Sequence, residues 1–304
     1  MTQESTSAAK PASSAIRSKV KDYFMLIKFT LSFMVVFSTV VCYLLAPGVR
    51  FHAGQVLLLF AGGMLITGSA NAINQLLEKK SDAVMKRTAK RPVASGRMTE
   101  KEAAIFAGIS GAAGVFIMLY WFNLESALIG LFSLFLYGFI YTPLKTRNSI
   151  AVLVGGIPGA LPCLIGWVAG FYDTPIQWTG GWVLFAIQFL WQFPHFWAIA
   201  WIAHGDYTAA GFKLLPGDKG PTKFTALQTV MYSALMIPVG VLPYYYGISG
   251  VVSMWIVLAC NITMVLLSVQ LYLKMDAGSA RKVMFGSYFY LMIVLLSLYA
   301  NKLG

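Results

Sequence analysis

Charge is scarce in this chain of 304 residues: Asp, Glu, Lys and Arg make up 11% of it, and only 11 residues are acidic. A water-soluble domain carries roughly a quarter charged residues. The shortage excludes an ordinary soluble fold for most of the sequence. Cysteine is rarer still. Cys42, Cys163 and Cys260 fall in separate apolar runs, a spacing that argues against a disulfide framework or a cysteine-held metal. They read as small core residues. Also missing is the alternation of apolar and polar positions that a membrane barrel strand requires.

What the chain has in quantity is apolar sequence, with 58% of residues hydrophobic. Runs of about 18 to 26 residues, enough to cross roughly 30 Å of hydrocarbon, recur along it. They cover 23–46, 55–77, 103–122, 124–141, 150–172, 178–203, 224–246, 248–273 and 283–301. In lipid every backbone amide needs a partner within its own segment, so these runs are expected to be helices. The expected fold is all-α, a polytopic bundle of about nine transmembrane helices. Residues 1–18 read as a disordered cytoplasmic tail and 19–304 as a single membrane domain, because the first sixteen positions are rich in Ser, Ala and Thr. The first apolar run is too long for a signal-peptide core and reads as a retained helix.

The formal net charge is +12, but the basic residues are sorted by loop and form no extended patch. This speaks against nucleic acid as a partner and for membrane lipid. Lys10, Arg17, Lys19, Lys21 and Lys28 precede or open the first run. Lys79, Lys80, Lys86, Arg87, Lys90, Arg91, Arg97 and Lys101 follow the second, and Lys145 and Arg147 the fourth. Lys213, Lys219 and Lys223 follow the sixth, and Lys274, Arg281 and Lys282 the eighth. Only Arg50 and Lys302 fall on the opposite side, so the positive-inside rule puts the N-terminus in the cytoplasm.

Ionisable and amide side chains at membrane depth are costly, which makes each a candidate functional position. Glu4 lies in the tail, Glu100 and Glu102 read as a helix first turn after Thr99, and Glu125 and Asp173 lie in outer loops. Among the rest, the candidates are Glu78, Asp82 and Asp206, all cytoplasmic. The second run ends Asn71-Ala-Ile-Asn74-Gln-Leu-Leu-Glu78-Lys-Lys-Ser-Asp82-Ala-Val-Met-Lys86-Arg87-Thr88-Ala-Lys90-Arg91-Pro92. Asn74, Glu78, Asp82 and Lys86 recur every four residues, one slowly drifting stripe on a helix. Hard oxygen donors at this spacing suit Mg²⁺, which takes one or two carboxylates and completes its shell with water and substrate phosphate. Lys86, Arg87 and Arg91 would meet the remaining phosphate charge. The plain alternative is a solvated helix end; the Asn one turn deeper and the dense cations weigh against it.

A second polar cluster lies in the sixth run. Gln188, Gln192 and His195 are spaced four and three, so they are expected to share a face, with Trp191 four residues before His195. Pro194 cannot donate to the carbonyl of Leu190 and should kink the helix there. A lone His or Trp in an apolar helix is usually packing; here two Gln, a His, a Pro and two Trp crowd into ten residues. Asp206, in the loop that follows, is expected to face Glu78 and Asp82 across the bundle. Tyr141, Lys145 and Arg147 close the fourth run on the same side, as further site residues or as topology anchors. The Gly155-Gly-Ile-Pro158-Gly-Ala-Leu-Pro162 stretch suggests close helix packing or room for a ligand.

These residues resemble the UbiA-type intramembrane prenyltransferases, in particular the haem O synthase branch, over nearly the whole chain from about Lys19. Asn74-x3-Glu78-x3-Asp82-x3-Lys86-Arg87-Thr88-x2-Arg91-Pro92 is similar to the superfamily's first Asp-rich motif, and Tyr141 to Lys145 resembles a further superfamily element. Trp191-Gln-Phe-Pro-His195-Phe-Trp197, Asp206-Tyr207 and Gly211-Phe-Lys213 resemble the haem branch. Two positions depart from the wider pattern. Glu78 stands where most relatives have Asp, and His195 with Asp206 stands where the second motif usually has several aspartates.

The resemblance implies transfer of the farnesyl group of farnesyl diphosphate to a vinyl group of haem b, with addition of water, giving haem O and diphosphate. It implies a Mg²⁺ held by Asn74, Glu78 and Asp82, with His195 and Asp206 beside them in the catalytic set. Diphosphate would be held by Lys86, Arg87, Arg91, Lys145 and Arg147. Asn71, Tyr141, Gln188, Trp191, Gln192, Trp197 and Lys213 are implied substrate contacts. His195 is left with three candidate roles: contact to haem iron, diphosphate binding or proton movement. The resemblance also implies a bacterial cytoplasmic membrane, with haem A synthase or terminal-oxidase assembly factors as candidate partners.

Three other readings compete. A transporter would spread polar residues over all depths and repeat its hydropathy, whereas here they gather at one face and no internal repeat is evident. A b-type cytochrome needs His pairs at a common depth, and His52, His195 and His204 lie at three different ones. A UbiA-type enzyme with a phenolic or quinone-precursor acceptor is disfavoured only by the resemblance of the 191–197 segment.

Overall fold

The computed structural model describes residues 12–172, 174–216 and 220–303. Its helices are α1 (Ala12–Leu26), α2 (Phe29–Leu45), α3 (Ala53–Leu77), α4 (Lys79–Val84), α5 (Glu100–Trp121) and α6 (Leu124–Phe135). A π-helical turn, Leu136–Tyr141, runs from α6 into α7 (Thr142–Leu144). Then come α8 (Ala151–Ala169), α9 (Trp178–Ile202), α10 (His204–Ala209), α11 (Lys223–Tyr245), α12 (Val251–Lys274) and α13 (Ala277–Ala300). Eight spans are long and apolar enough to cross a membrane, and α1 with α2 makes a ninth, bent by 51°. The chain is therefore an all-α multi-pass membrane protein. Residues 1–11 of the expected tail and Asp173 lie outside the described residues, and the helical backbone begins at Ala12, ahead of the expected boundary at residue 18.

Polar residues start several of these helices by accepting an exposed backbone N–H. Thr99 accepts from Glu102 N at 3.1 Å, Asn123 from Ser126 N at 2.8 Å, and Asp276 from Ser279 N at 2.6 Å. Glu100 and Glu102 do occupy the first turn of α5, as expected. Around the bundle, α3 packs on α2 and α5, α5 on α6, and α6 on α8, while α12 bridges α11 and α13. Helix α8 lies between α2 and α9, and α9 also meets α11 and α13. These two are the inner helices: 72% and 67% of their most apolar stretches are buried, against 22% for the α6–α7 span.

Small residues let the inner helices approach, as helix pairs in lipid require. A Cβ on Gly159 would strike Gln192 Oε1, and one on Gly166 would strike the Thr39 carbonyl oxygen. Pro162 cannot donate to the Pro158 carbonyl, which accepts instead from Ser133 Oγ at 3.3 Å. The Gly- and Pro-rich stretch of α8 thus serves close packing.

The first apolar run is not one straight helix. Lys28 adopts the left-handed conformation (φ 49°, ψ 57°) between α1 and α2, which costs a side-chain-bearing residue roughly 1–2 kcal/mol. The carbonyls exposed by the break are claimed from α3. Asn71 Nδ2 donates to Ile27 O at 3.1 Å and to Ser32 Oγ at 3.0 Å. Gln75 Nε2 donates to Met25 O at 2.9 Å and Leu26 O at 3.0 Å. Two buried amides therefore bond the break, one a helical turn before Asn74 and the other directly after it.

Candidate active site

Asn74, Glu78 and Asp82 are all buried, and each holds a cation from a different part of the chain. Lys28 Nζ donates to Asn74 Oδ1 at 2.7 Å. Lys145, at the end of α7, donates to Glu78 Oε1 at 2.8 Å. One guanidinium nitrogen of Arg91 bridges both oxygens of Asp82 at 2.7 Å. Asn74 Nδ2 donates to Thr142 Oγ1 at 3.1 Å, and Thr142 in turn donates to Tyr137 O at 2.9 Å, inside the π-helical turn. The extra residue of that turn sets Thr142 against Asn74, in keeping with the frequent use of π-bulges at functional sites.

The stripe is not carried by one straight helix. α3 ends at Leu77, Glu78 joins it to α4, and α4 ends at Val84. Asp82 N still donates to Glu78 O at 2.7 Å, which keeps the two carboxylates in register. Lys86 lies beyond α4, exposed and off the stripe, because the chain leaves the helix at Met85. Thr88 Oγ1 donates to Asp82 O at 2.9 Å, turning the segment back so that Arg91 meets the carboxylate. Lys28 was legible only as a topology marker, although a lysine inside an apolar run is itself a signal of a buried partner.

Cations and aromatic rings border the cluster. Lys145 Nζ lies 4.4 Å from the Tyr141 ring centroid, within cation–π range. Arg87 donates to Tyr207 Oη at 3.1 Å, bringing α10 to the loop after α4. Asp206 neighbours that contact in sequence, but its carboxylate makes no hydrogen bond or ion pair among the described residues. Lys213 contributes its backbone, whose N–H donates to Lys145 O at 2.7 Å, while its side chain is exposed, as is that of Arg147. No group of three or more His, Cys, Asp or Glu side chains that could hold a metal occurs among the described residues.

The α9 cluster is divided among three neighbours, contrary to the shared face expected from spacing. Gln192 Nε2 donates to Gly156 O at 3.0 Å and Gln188 Nε2 to Gly159 O at 3.4 Å, both on α8. Trp197 packs edge-on against Tyr232 of α11 at 5.1 Å. Trp191 and His195 turn to α13: Trp191 Nε1 donates to Ser287 O at 2.7 Å, and His195 Nδ1 lies 2.8 Å from Ser287 Oγ. The difference of about 60° between positions 192 and 195 on a helical wheel is enough to send them to different helices once both inner faces are occupied. Asn71, expected at the substrate, is committed to the α1–α2 break.

The family profile of the UbiA prenyltransferases matches residues 35–294. A protoheme IX farnesyltransferase of Cytophaga hutchinsonii is 44% identical over 288 residues, spanning 94% of this chain and 99% of its own. The chain belongs to the UbiA prenyltransferase family, in its protoheme IX farnesyltransferase group. Among solved UbiA-type structures, that of a digeranylgeranylglyceryl phosphate synthase in membranes superposes with a TM-score of 0.77 at 21% identity, covering 93% of this chain and 98% of its own. A UbiA homolog from Archaeoglobus fulgidus bound to GPP and Mg²⁺ superposes with a TM-score of 0.60 at 12% identity, covering 91% and 99%. At these identities the two structures bear on the UbiA fold alone, and the family assignment rests on the sequence matches.

Proposed function

We propose that this chain transfers the farnesyl group of farnesyl diphosphate to a vinyl group of haem b, with water completing the product haem O. The observation that carries the reading is the convergence of Lys28, Lys145 and Arg91 on Asn74, Glu78 and Asp82. Three basic side chains against two carboxylates and a neutral amide give the cluster N–H donors for a further anion, and a diphosphate is the anion a prenyl donor presents. Arg87 adds a fourth basic side chain at the exposed edge, with Lys86 and Arg147 further out.

Asn74, Glu78 and Asp82 also offer hard oxygens of the kind Mg²⁺ takes, with water and diphosphate to complete its shell. Mg²⁺ bound there would neutralise charge on the diphosphate oxygens. The allylic C–O bond then breaks with its electron pair leaving on the diphosphate. The vinyl π electrons form the new C–C bond to the farnesyl carbon, and water adds to the cation left on the vinyl carbon next to the porphyrin, losing a proton. Lys145, Lys28 and Arg91 hold the leaving group, and the Tyr141 ring beside Lys145 faces passing positive charge.

Basic loops on one side support a bacterial cytoplasmic membrane with the N-terminus in the cytoplasm, where both amphipathic reactants find lipid for their apolar bodies and water for their anionic groups. The test is incubation of the purified protein with haem b, farnesyl diphosphate and Mg²⁺, with products resolved by chromatography and mass spectrometry. Haem O is expected; farnesylation of a phenolic acceptor but not of haem would assign the chain a different acceptor.

A further inference from the structure

Ser287 is a fully buried residue of α13 that nothing in the sequence singles out, yet it binds both aromatic residues that α9 turns towards it. Its backbone carbonyl accepts from Trp191 Nε1 at 2.7 Å, and its side chain lies 2.8 Å from His195 Nδ1. The two rings stack with centroids 5.0 Å apart and planes inclined by 16°, and Tyr288 closes edge-on over His195 at 5.0 Å.

The hydroxyl has only one proton, and Ser287 Oγ gives it to Met284 O at 2.6 Å. With its proton there, it accepts from His195. In that arrangement His195 Nδ1 carries the proton of the neutral imidazole, and Nε2 has a lone pair and no hydrogen-bond partner among the described residues. This is the arrangement found where a histidine ligates a metal: one ring nitrogen donates to a fixed acceptor, and the other is held out as the ligand.

Resting on the haem reading of the acceptor, we infer that Ser287 is a positioning residue that fixes His195 with Nε2 open to ligate the iron of the porphyrin substrate. Trp191 and Tyr288 fix the imidazole plane, so iron ligation also fixes the place and the tilt of the porphyrin at this end of α9. His195 is thereby assigned to the acceptor, and the diphosphate is left to the Lys28, Lys145 and Arg91 cluster.

The chain has three histidines, so ¹⁵N-histidine labelling gives few ring signals to assign. His195 is expected as the neutral Nδ1–H form, and Ser287→Ala should shift it towards a mixture of tautomers while Ser287→Thr keeps it. The Ala variant keeps the backbone acceptor of Trp191, so it removes the hydroxyl alone. Titrated with ferric haem b, the unmodified protein should give the absorption spectrum of an imidazole ligand, which His195→Ala abolishes. Ser287→Ala should weaken haem binding about 10- to 100-fold, with affinity for farnesyl diphosphate unchanged. A protonated Nε2 in the unmodified protein, or haem binding unaffected by Ser287→Ala, would overturn the inference. Haem O formation without an imidazole-ligated spectrum would overturn it while leaving the haem reading intact. Failure of haem to bind the unmodified protein would remove both.

Discussion

Lys28 reaches Asn74 from a break in the first membrane span, its ammonium 2.7 Å from the amide oxygen. The residue pays for that reach with a left-handed backbone, and Asn71 and Gln75 of α3 stabilise the distortion by bonding the carbonyls it exposes. A strained position kept at a cluster of charged groups points to binding. Lys28→Met is expected to weaken binding of a non-reacting farnesyl diphosphate analogue by about tenfold or more, since a hydrogen bond to a charged group contributes roughly 1.5–3 kcal/mol. Isothermal titration measures it; an unchanged affinity would return Lys28 to a purely structural role.

Glu78 and Lys145 form a buried pair at 2.8 Å, so the site and the fold share the same charges. Removing one partner of such a pair typically costs about 3–5 kcal/mol. Glu78→Gln should therefore abolish turnover and also lower the melting temperature. The double variant Glu78→Gln with Lys145→Met should recover part of the stability and none of the activity. Melting curves with product analysis check both, and full activity in the double variant would remove the pair from the mechanism.

Close approach of α2, α8 and α9 rests on glycine. Gly166→Ala places a methyl against the Thr39 carbonyl, which belongs to backbone and cannot turn aside, so it is expected to destabilise by about 1–3 kcal/mol. Gly108→Ala on the outer face of α5 meets nothing within 4 Å and should leave the melting temperature unchanged or slightly raised. Equal effects from the two would contradict the packing described.

Asp276 caps α13, and the backbone N–H of Ser279 holds its carboxyl below the ordinary Asp range. Because the folded value is the lower one, the cap's contribution is complete above the unfolded Asp value of about 3.9 and fades as pH falls through the folded value. Asp276→Asn keeps an acceptor but no titration. The stability difference between the two proteins should therefore shrink below about pH 4, as thermal melts at stepped pH would show.

The spans were legible because crossing hydrocarbon leaves no choice but about 20 apolar residues in helical form, and the nine expected runs all have helical counterparts. The break at Lys28 was not, because Ile27-Lys28-Phe29 contains neither Gly nor Pro, and the amides that bond its carbonyls, Asn71 and Gln75, lie more than forty residues away. Helical spacing aligned Asn74, Glu78 and Asp82, each of which bonds a basic side chain, but it extended the stripe to Lys86, which lies beyond α4, since periodicity does not show where a helix stops. On α9, spacing grouped Gln192 with His195, but each bonds the helix it faces. Ser287 left no trace in the sequence, because a serine in an apolar helix is ordinary until its neighbours are known.

The most direct test of the account is equilibrium binding of a non-reacting farnesyl diphosphate analogue, with and without Mg²⁺, to the unmodified protein and to Asp82→Asn. The account predicts tight binding that depends on Mg²⁺ and a loss of that dependence in the variant, with haem binding retained. Binding of equal strength in both proteins, indifferent to Mg²⁺, would contradict it.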